Sequence, residues 1–181
     1  EGAQVTAGSG DISLMAENSQ NDSANAASKV TGGKVGVGAS AALNVLPVNI
    51  TRAAIEDSAI LTGGENLTIS ADSEHSVFTT VKAGAAGGTA VSPAVGVAFI
   101  NDYTISAIGE SGNAIDVTGN VKISSSHRGT ALTTVDASVA GEKVAVGAAV
   151  GVNIILDSTE TIINRDIESD GAFTLSASTG Q

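Results

Sequence analysis

The sequence predicts an all-β protein, a parallel β-solenoid (β-helix) of about seven coils. Three observations support this fold class: a repeat of roughly 54 residues, apolar residues on alternate positions, and a core restricted to small and β-branched side chains. Among the 181 residues there are three Phe, one Tyr and no Trp, so Ala, Val and Ile have to fill the interior. Side chains of this size suit thin, closely packed β layers.

A short hydrophobic pattern recurs four times along the chain. Its copies begin at Ile12, Leu67, Val121 and Phe173, and their starts are separated by 55, 54 and 52 residues. A glycine stands two or three positions before each copy. Several other segments keep the same period, so chance similarity is a poor explanation of the pattern.

The period divides the chain into copies of one unit. We expect a single repeat array over residues 1–181, with a partial copy at 1–32 and further copies at roughly 33–87, 88–140 and 141–181. Because the array begins and ends inside a copy, we expect the chain to be a fragment of a larger protein.

The strands are predicted from apolar residues on every second position. Leu67, Ile69 and Ala71 alternate with polar residues, and Val, Ala and Ile occupy the even positions of 144–154. A period of two places one set of side chains inside and the other outside. We expect the apolar set to face the core and the Thr, Ser, Lys and Asn set to face solvent. Turns containing Gly8 and Gly63 are expected to need positive φ angles.

A unit of this length buries its apolar face only when copies stack on one another. We expect each unit to supply two coils of about 26 residues, each rising about 4.8 Å, which makes about seven coils in the chain. The alternating run at 144–154 is long for one solenoid face, at about 36 Å if straight. Unless Gly147 and Gly151 form corners there, the alternative is an antiparallel β-sheet or sandwich repeat array with long strands.

The composition argues against several classes of function. Eight basic and 19 acidic residues leave a net charge of −11, which argues against nucleic-acid binding because a phosphate-binding face is basic. The same acidic balance argues against docking onto anionic lipid. The sequence has no run of 18 apolar residues, so no membrane span is expected. It has no cysteine, which rules out disulfides and thiolate metal sites.

Carboxylates are the most numerous candidate functional groups. Most of them stand at or beside predicted turns, where they are solvated, and few aromatic residues are present to bind sugars. We therefore predict no catalytic residues and no enzyme activity. The densest acidic stretch offers weak Ca²⁺ ligands at Asp157, Glu160, Asp166 and Asp170, because Ca²⁺ prefers oxygen donors. In the alternative interpretation these carboxylates form only a charged surface, and no cofactor is expected.

The chain contains two histidines, His75 and His127. When the repeats are aligned, His75 matches Gly129 rather than His127, so the two histidines are not a repeated pair. A zinc site would need further ligands close to the metal, and no cysteine is available to supply them. We expect both histidines to be exposed surface side chains.

Over essentially its whole length, the chain resembles the repeats of very large secreted bacterial surface proteins. The resemblance lies in the alternating residues 143–154, in the Thr-Glu-Thr-Ile-Ile segment at 159–163 and in the Phe-Thr-Leu-Ser-Ala segment at 173–177. The family is that of the filamentous-haemagglutinin-like and leukotoxin-like adhesins of Gram-negative bacteria. The resemblance implies a long β-helical shaft, exported through an outer-membrane partner, that stands on the bacterial cell surface in the extracellular space.

The function expected from this resemblance is structural and non-catalytic: a shaft segment of a large secreted adhesin. Its partners would be the flanking repeats of the same chain, and then glycans or proteins on a host or neighbouring cell. One alternative is a carbohydrate-binding or carbohydrate-cleaving β-helix, which polysaccharide turnover or a glycan-dependent thermal shift would favour. The other is a calcium-stabilised surface module, which a loss of thermal stability with chelator would favour.

Overall fold

The computed structural model describes residues 2–180, and these residues form ten β-strands and no helix. They contain no helix with the length and apolar character needed to cross a membrane. The strands are β1 (Gln4–Gly8), β2 (Ile12–Thr31), β3 (Val35–Val37), β4 (Ser40–Ile55), β5 (Ile60–Gly63), β6 (Leu67–Ile108), β7 (Ile115–Val117), β8 (Val121–Ile163), β9 (Ile167–Ser169) and β10 (Phe173–Gly180).

The main sheet pairs strands that lie one repeat apart, and all of its pairings are parallel. Ile12 of β2 lies opposite Leu67 of β6, which lies opposite Val121 of β8, which lies opposite Phe173 of β10. The four copies of the hydrophobic pattern therefore form one row across the sheet. Two short sheets repeat the arrangement, because β1 pairs with β5 and β7 pairs with β9, again in parallel.

This register corrects the expected length of a layer. Two coils per unit would pair residues about 26 positions apart. The paired residues of β1 to β10 instead lie 52–56 positions apart. One layer therefore takes a whole repeat, and the register does not support about seven coils in the chain. The antiparallel alternative is wrong for the strands of residues 2–180, because each pairing among them is parallel.

Each repeat folds back near its middle, at a glycine-containing segment. We call the residues before this segment the first arm (12–31, 67–87 and 121–140) and those after it the second arm (35–55, 89–108 and 144–163). The two arms face each other through side chains. Ser40 Oγ on a second arm donates to Ser28 Oγ on the first arm at 3.0 Å. Thr161 Oγ1 donates to Ser125 Oγ at 3.1 Å in the same way.

The first arms carry the larger side chains of the core. Leu67, Ile69 and Ala71 are fully buried, as their alternation predicted. They belong to a cluster of aliphatic side chains where the long arms meet the short strands, and Val121 and Ile123 of the next layer pack in the same cluster. Stacking like positions of successive repeats therefore turns the sequence period into continuous rows of core side chains.

The second arms turn their smallest residues inward, which reverses the predicted face. Val150 and Ile154, expected in the core, are 52% and 43% exposed on the outside. Inside, Gly151 lies where an added Cβ would be 3.3 Å from methyl carbons of both Thr133 and Val135 on the facing first arm. The space between the arms at this level is already filled by those first-arm side chains, so the positions that face them hold Gly or Ala, whereas Ile100 further along the same face is fully buried.

Corner turns hold successive layers together through amide side chains. Asn66 Nδ2 donates to Asp11 Oδ1 at 2.8 Å, and Asn66 Oδ1 accepts from the backbone N–H of Asn120 at 2.8 Å. Asn120 Oδ1 in turn accepts from the backbone N–H of Ala172 at 2.8 Å. Glycines at these turns adopt the predicted positive φ, 60° at Gly8 and 74° at Gly63. The corner is therefore a ladder of hydrogen bonds that runs across four layers.

Arg165 connects the turns of three layers at the ends of the second arms, away from the fold-back. Its Nε donates to the carbonyl oxygen of Gly109 at 3.1 Å, and its Nη1 donates to that of Ala59 at 2.7 Å. Its Nη2 donates to the carbonyl oxygens of Glu56, at 3.1 Å, and of Ser111. The guanidinium group is thus the shared donor of backbone carbonyls that lie one and two repeats before it.

Candidate metal centre

The two histidines lie inside the stack and not on its surface, so the sequence-based prediction for them is wrong. His75 and His127 are each 1% exposed. The register places His75 opposite Gly129 and His127 opposite Ser73, as the repeat alignment had indicated. Both side chains nevertheless point inward on neighbouring layers, two positions apart. Their ring centroids are 4.9 Å apart and the ring planes are tilted by 44°.

The facing second arms contribute two buried carboxylates to the same place. His127 Nε2 lies 3.2 Å from Asp157 Oδ2, and His127 Nδ1 lies 3.5 Å from Asp102 Oδ1. Asp102 and Asp157 are themselves opposite each other in the register, on β6 and β8. Two imidazoles and two carboxylates from two layers therefore meet between the arms, in an interior that is otherwise built of small and aliphatic side chains.

The two carboxylates differ in how they are satisfied. Asp102 is fully buried and accepts hydrogen bonds from Asn49 Nδ2 at 2.6 Å, from Ser73 Oγ at 3.2 Å and from Thr104 Oγ1 at 3.3 Å. Neither oxygen of Asp157 has a hydrogen-bond partner among residues 2–180, although its side chain is only 3% exposed. Asp102 is therefore a structural acceptor, whereas Asp157 keeps its lone pairs available.

The imidazole nitrogens are also without hydrogen-bond partners. Nδ1 and Nε2 of both His75 and His127 are buried, and none of the four makes a hydrogen bond to another described residue. A buried polar atom left unpaired costs about 1–3 kcal/mol. Six such atoms, counting both oxygens of Asp157, lie in this one cluster.

Burial sets the charge state of His75. It lowers the pKa of this imidazole below the ordinary value, against an upward influence of the Asp157 carboxylate. His127 lowers the pKa further, and Asp102 raises it. The net direction is downward, so the neutral ring is favoured. The neutral imidazole is the form that binds metal ions.

A glycine makes the space between the two rings. An added Cβ at Gly129 would lie 2.5 Å from His75 Nε2 and 3.2 Å from His127 Nε2, so both nitrogens point toward the position that this residue leaves open. A cavity of about 210 Å³ adjoins it, and its walls include His75, Gly129, Ile155 and Asp157.

The acidic residues proposed from the sequence as calcium ligands do not converge. Asp157 points into the interior, whereas Glu160, Asp166 and Asp170 are exposed. Glu160 accepts a hydrogen bond from Ser158 Oγ at 2.9 Å on the outer face. Within residues 2–180, His75, His127 and Asp157 are the only three His, Asp or Glu side chains whose donor atoms all lie within 4.8 Å of one another.

The sequence carried a signal for this cluster that the histidine prediction did not use. Counting in steps of two from the buried Leu67 reaches His75, and counting in steps of two from the buried Val121 reaches His127. Both counts predict that the histidine side chain points inward. Asp157 was harder to place, because its direction depends on which face of the second arm is inside.

Comparisons with known proteins leave the chain to be interpreted from its own residues. No protein-family model, no curated protein and no solved structure matches it.

Proposed function

We propose that the chain is a structural segment of a parallel β-solenoid and forms part of the shaft of a large secreted bacterial surface adhesin. The observation that carries this proposal is the register of β6, which pairs in parallel with one repeat before it and one repeat after it over nearly its whole length. When a segment pairs in this manner on both sides, each further repeat lengthens the stack by one layer. The role that we propose for the segment is therefore mechanical.

The contacts between layers support a mechanical role for the segment. The corner ladder of Asn66 and Asn120 and the carbonyl contacts of Arg165 all run along the stacking direction. Backbone hydrogen bonds between parallel strands run in the same direction along each arm. Pulling the ends of such a stack apart therefore strains many hydrogen bonds together, which suits a stiff spacer.

Lengthening the array is expected to lengthen a rod of constant width. Each copy of residues 67–120 inserted after Asn120 should add one layer, about 4.8 Å along the axis, while the arms keep the width at about 65 Å. Electron microscopy of chains with ten and twenty inserted copies measures both dimensions. A string of separate globules, or a width that grows with copy number, would contradict a solenoid with one layer per repeat.

The surface location is tested on intact cells that make the parent protein. An antibody raised against residues 2–180 is expected to label cells without permeabilisation, because a shaft stands outside the envelope. An antibody against a cytoplasmic protein is the matched control for intact membranes. Labelling that appears only after permeabilisation would rule out the adhesin shaft and leave the solenoid architecture untouched.

A further inference from the structure

We propose that His75, His127 and Asp157 together bind one divalent transition-metal ion of the Zn²⁺ class. Their donor atoms lie within 4.8 Å of one another, and all three side chains are more than nine-tenths buried. This inference goes beyond the proposed shaft, because repeats can stack through backbone pairing without any metal.

The donor set selects the class of ion. Two imidazole nitrogens and one carboxylate oxygen suit Zn²⁺, Co²⁺ and Ni²⁺, whereas Ca²⁺ and Mg²⁺ prefer sites made wholly of oxygen atoms. Bonds of about 2.1 Å in a tetrahedral site place the donors about 3.4 Å apart. The 3.2 Å between His127 Nε2 and Asp157 Oδ2 is close to this value. All three donor atoms lie within 4.8 Å of one another, so His75 joins them after a side-chain shift of at most about 1.4 Å.

The unpaired atoms distinguish a ligand set from a hydrogen-bonded polar network. Asp102, in the same row, already has three side-chain donors, and its role is complete without an ion. Asp157 and both histidines have none among the described residues. A cation accepts lone pairs from all three at once and neutralises the buried carboxylate.

Gly129 provides the position for the ion. The Nε2 atoms of His75 and His127 lie 2.5 Å and 3.2 Å from the point that a Cβ would occupy there. The adjoining cavity of about 210 Å³ has room for a water molecule. Three protein ligands and one water complete four-coordinate zinc.

The ion would connect two first arms to the facing second arm, which backbone pairing does not join to them. His75 belongs to the first arm of β6, His127 to the first arm of β8 and Asp157 to the second arm of β8. Two ligands therefore come from neighbouring layers, and the third comes from the facing arm. Because the unfolded chain does not hold these groups together, binding stabilises the folded chain and raises its Tm.

The binding experiment uses the whole chain, freed of metal with chelator and titrated with Co²⁺ and Zn²⁺. We expect one ion per chain, a visible Co²⁺ spectrum with the intensity of a four-coordinate site, and a rise in Tm with Zn²⁺. Excess Ca²⁺ should neither displace Co²⁺ nor raise Tm. If neither transition metal binds stoichiometrically at millimolar concentration, the proposal is wrong.

Variants locate the site. Asp157→Asn keeps the shape of the side chain and is expected to weaken Co²⁺ binding at least about tenfold, since even loss of a supporting contact costs about 10–100-fold. Gly129→Ala keeps all three ligand residues but places a Cβ 2.5 Å from His75 Nε2, so it should push this imidazole aside and weaken binding by as much. Glu160→Gln, on the outer face of the same strand, is the matched control and should leave affinity unchanged. Equal weakening in the control would overturn the assignment.

A measurement on the unaltered chain keeps the test independent of variant folding. The chain has only two histidines, so its imidazole C–H signals in proton NMR belong to His75 and His127. One equivalent of Co²⁺ is expected to shift or broaden the signals of both rings. Stoichiometric binding that leaves either ring unaffected would show that the ion lies elsewhere.

Discussion

Replacing Arg165 with alanine is expected to lower the free energy of unfolding by about 3 kcal/mol. The guanidinium group is only 9% exposed and donates to four backbone carbonyl oxygens. Those carbonyls belong to turns one and two repeats earlier, so removal of Arg165 takes hydrogen bonds from two layers at once and leaves the carbonyl oxygens of Gly109 and Ala59 without this donor. Urea denaturation, with an unchanged m-value, measures the loss.

Two further variants separate this role from charge alone. Arg165→Lys keeps the positive charge but presents a single ammonium group, so it should recover only part of the loss. Arg52→Ala removes an arginine whose pairing with Glu56 is exposed at the surface, and its effect should stay within about 0.5 kcal/mol. If Arg165→Ala and Arg52→Ala are equally mild, Arg165 does not connect the layers.

Replacing Gly96 with valine is expected to destabilise the chain by about 2–3 kcal/mol. Gly96 faces inward from the second arm of β6. A Cβ at this position would lie 2.9 Å from a methyl carbon of Thr133 and 3.0 Å from one of Val135, before the two further methyl groups of valine are counted. The arms would have to separate to accept it. Denaturant unfolding monitored by circular dichroism gives the change in stability.

The neighbouring residue supplies the matched control. Val95 is 41% exposed on the outer face, so Val95→Thr should change stability by less than about 0.5 kcal/mol. If the valines of the second arm formed the core, Val95→Thr would destabilise the chain and Gly96→Val would be tolerated. The two variants together therefore decide which face of the second arm is inside.

The repeat period matches the pairing of the strands, because parallel stacking places like residues side by side, although two coils per unit would have paired residues about 26 positions apart. Ile12, Leu67, Val121 and Phe173, aligned in the sequence, are direct neighbours in the sheet. The length of a layer was not predictable from the same period. A chain that repeats every 54 residues can make two short coils or one long layer, and the fold-back at the central glycines selects the second.

The inward face of the second arms could not be derived from alternation alone. A period of two shows that one set of side chains is inside, but hydrophobicity identifies that set only where space is available for it. The first arms already fill the interior with residues such as Val81 and Val135, so the facing arm has to contribute Gly96 and Gly151. The volume left between the two arms therefore decides which side chains of the second arm point inward.

The same reason accounts for the part of the candidate site that sequence analysis missed. The inward direction of His75 and His127 follows from Leu67 and Val121, which were placed correctly. Asp157 lies on a second arm, where the predicted inner face is reversed, and the sequence groups it with the acidic residues Glu160, Asp166 and Asp170 as a weak Ca²⁺ ligand and not with the histidines. Convergence of the three side chains depends on the fold-back, which brings positions 127 and 157 of one repeat together.

Nitroxide labels at paired cysteines test the stacking of one layer per repeat most directly, since the natural chain has no cysteine to interfere. Thr68 and Lys122 lie opposite each other on β6 and β8, about 4.8 Å apart. Val95 lies near the level of Val81, about 43 Å along the arm from Thr68. We predict strong dipolar broadening for the 68/122 pair and none for the 68/95 pair. Broadening in 68/95 but not in 68/122 would contradict the account.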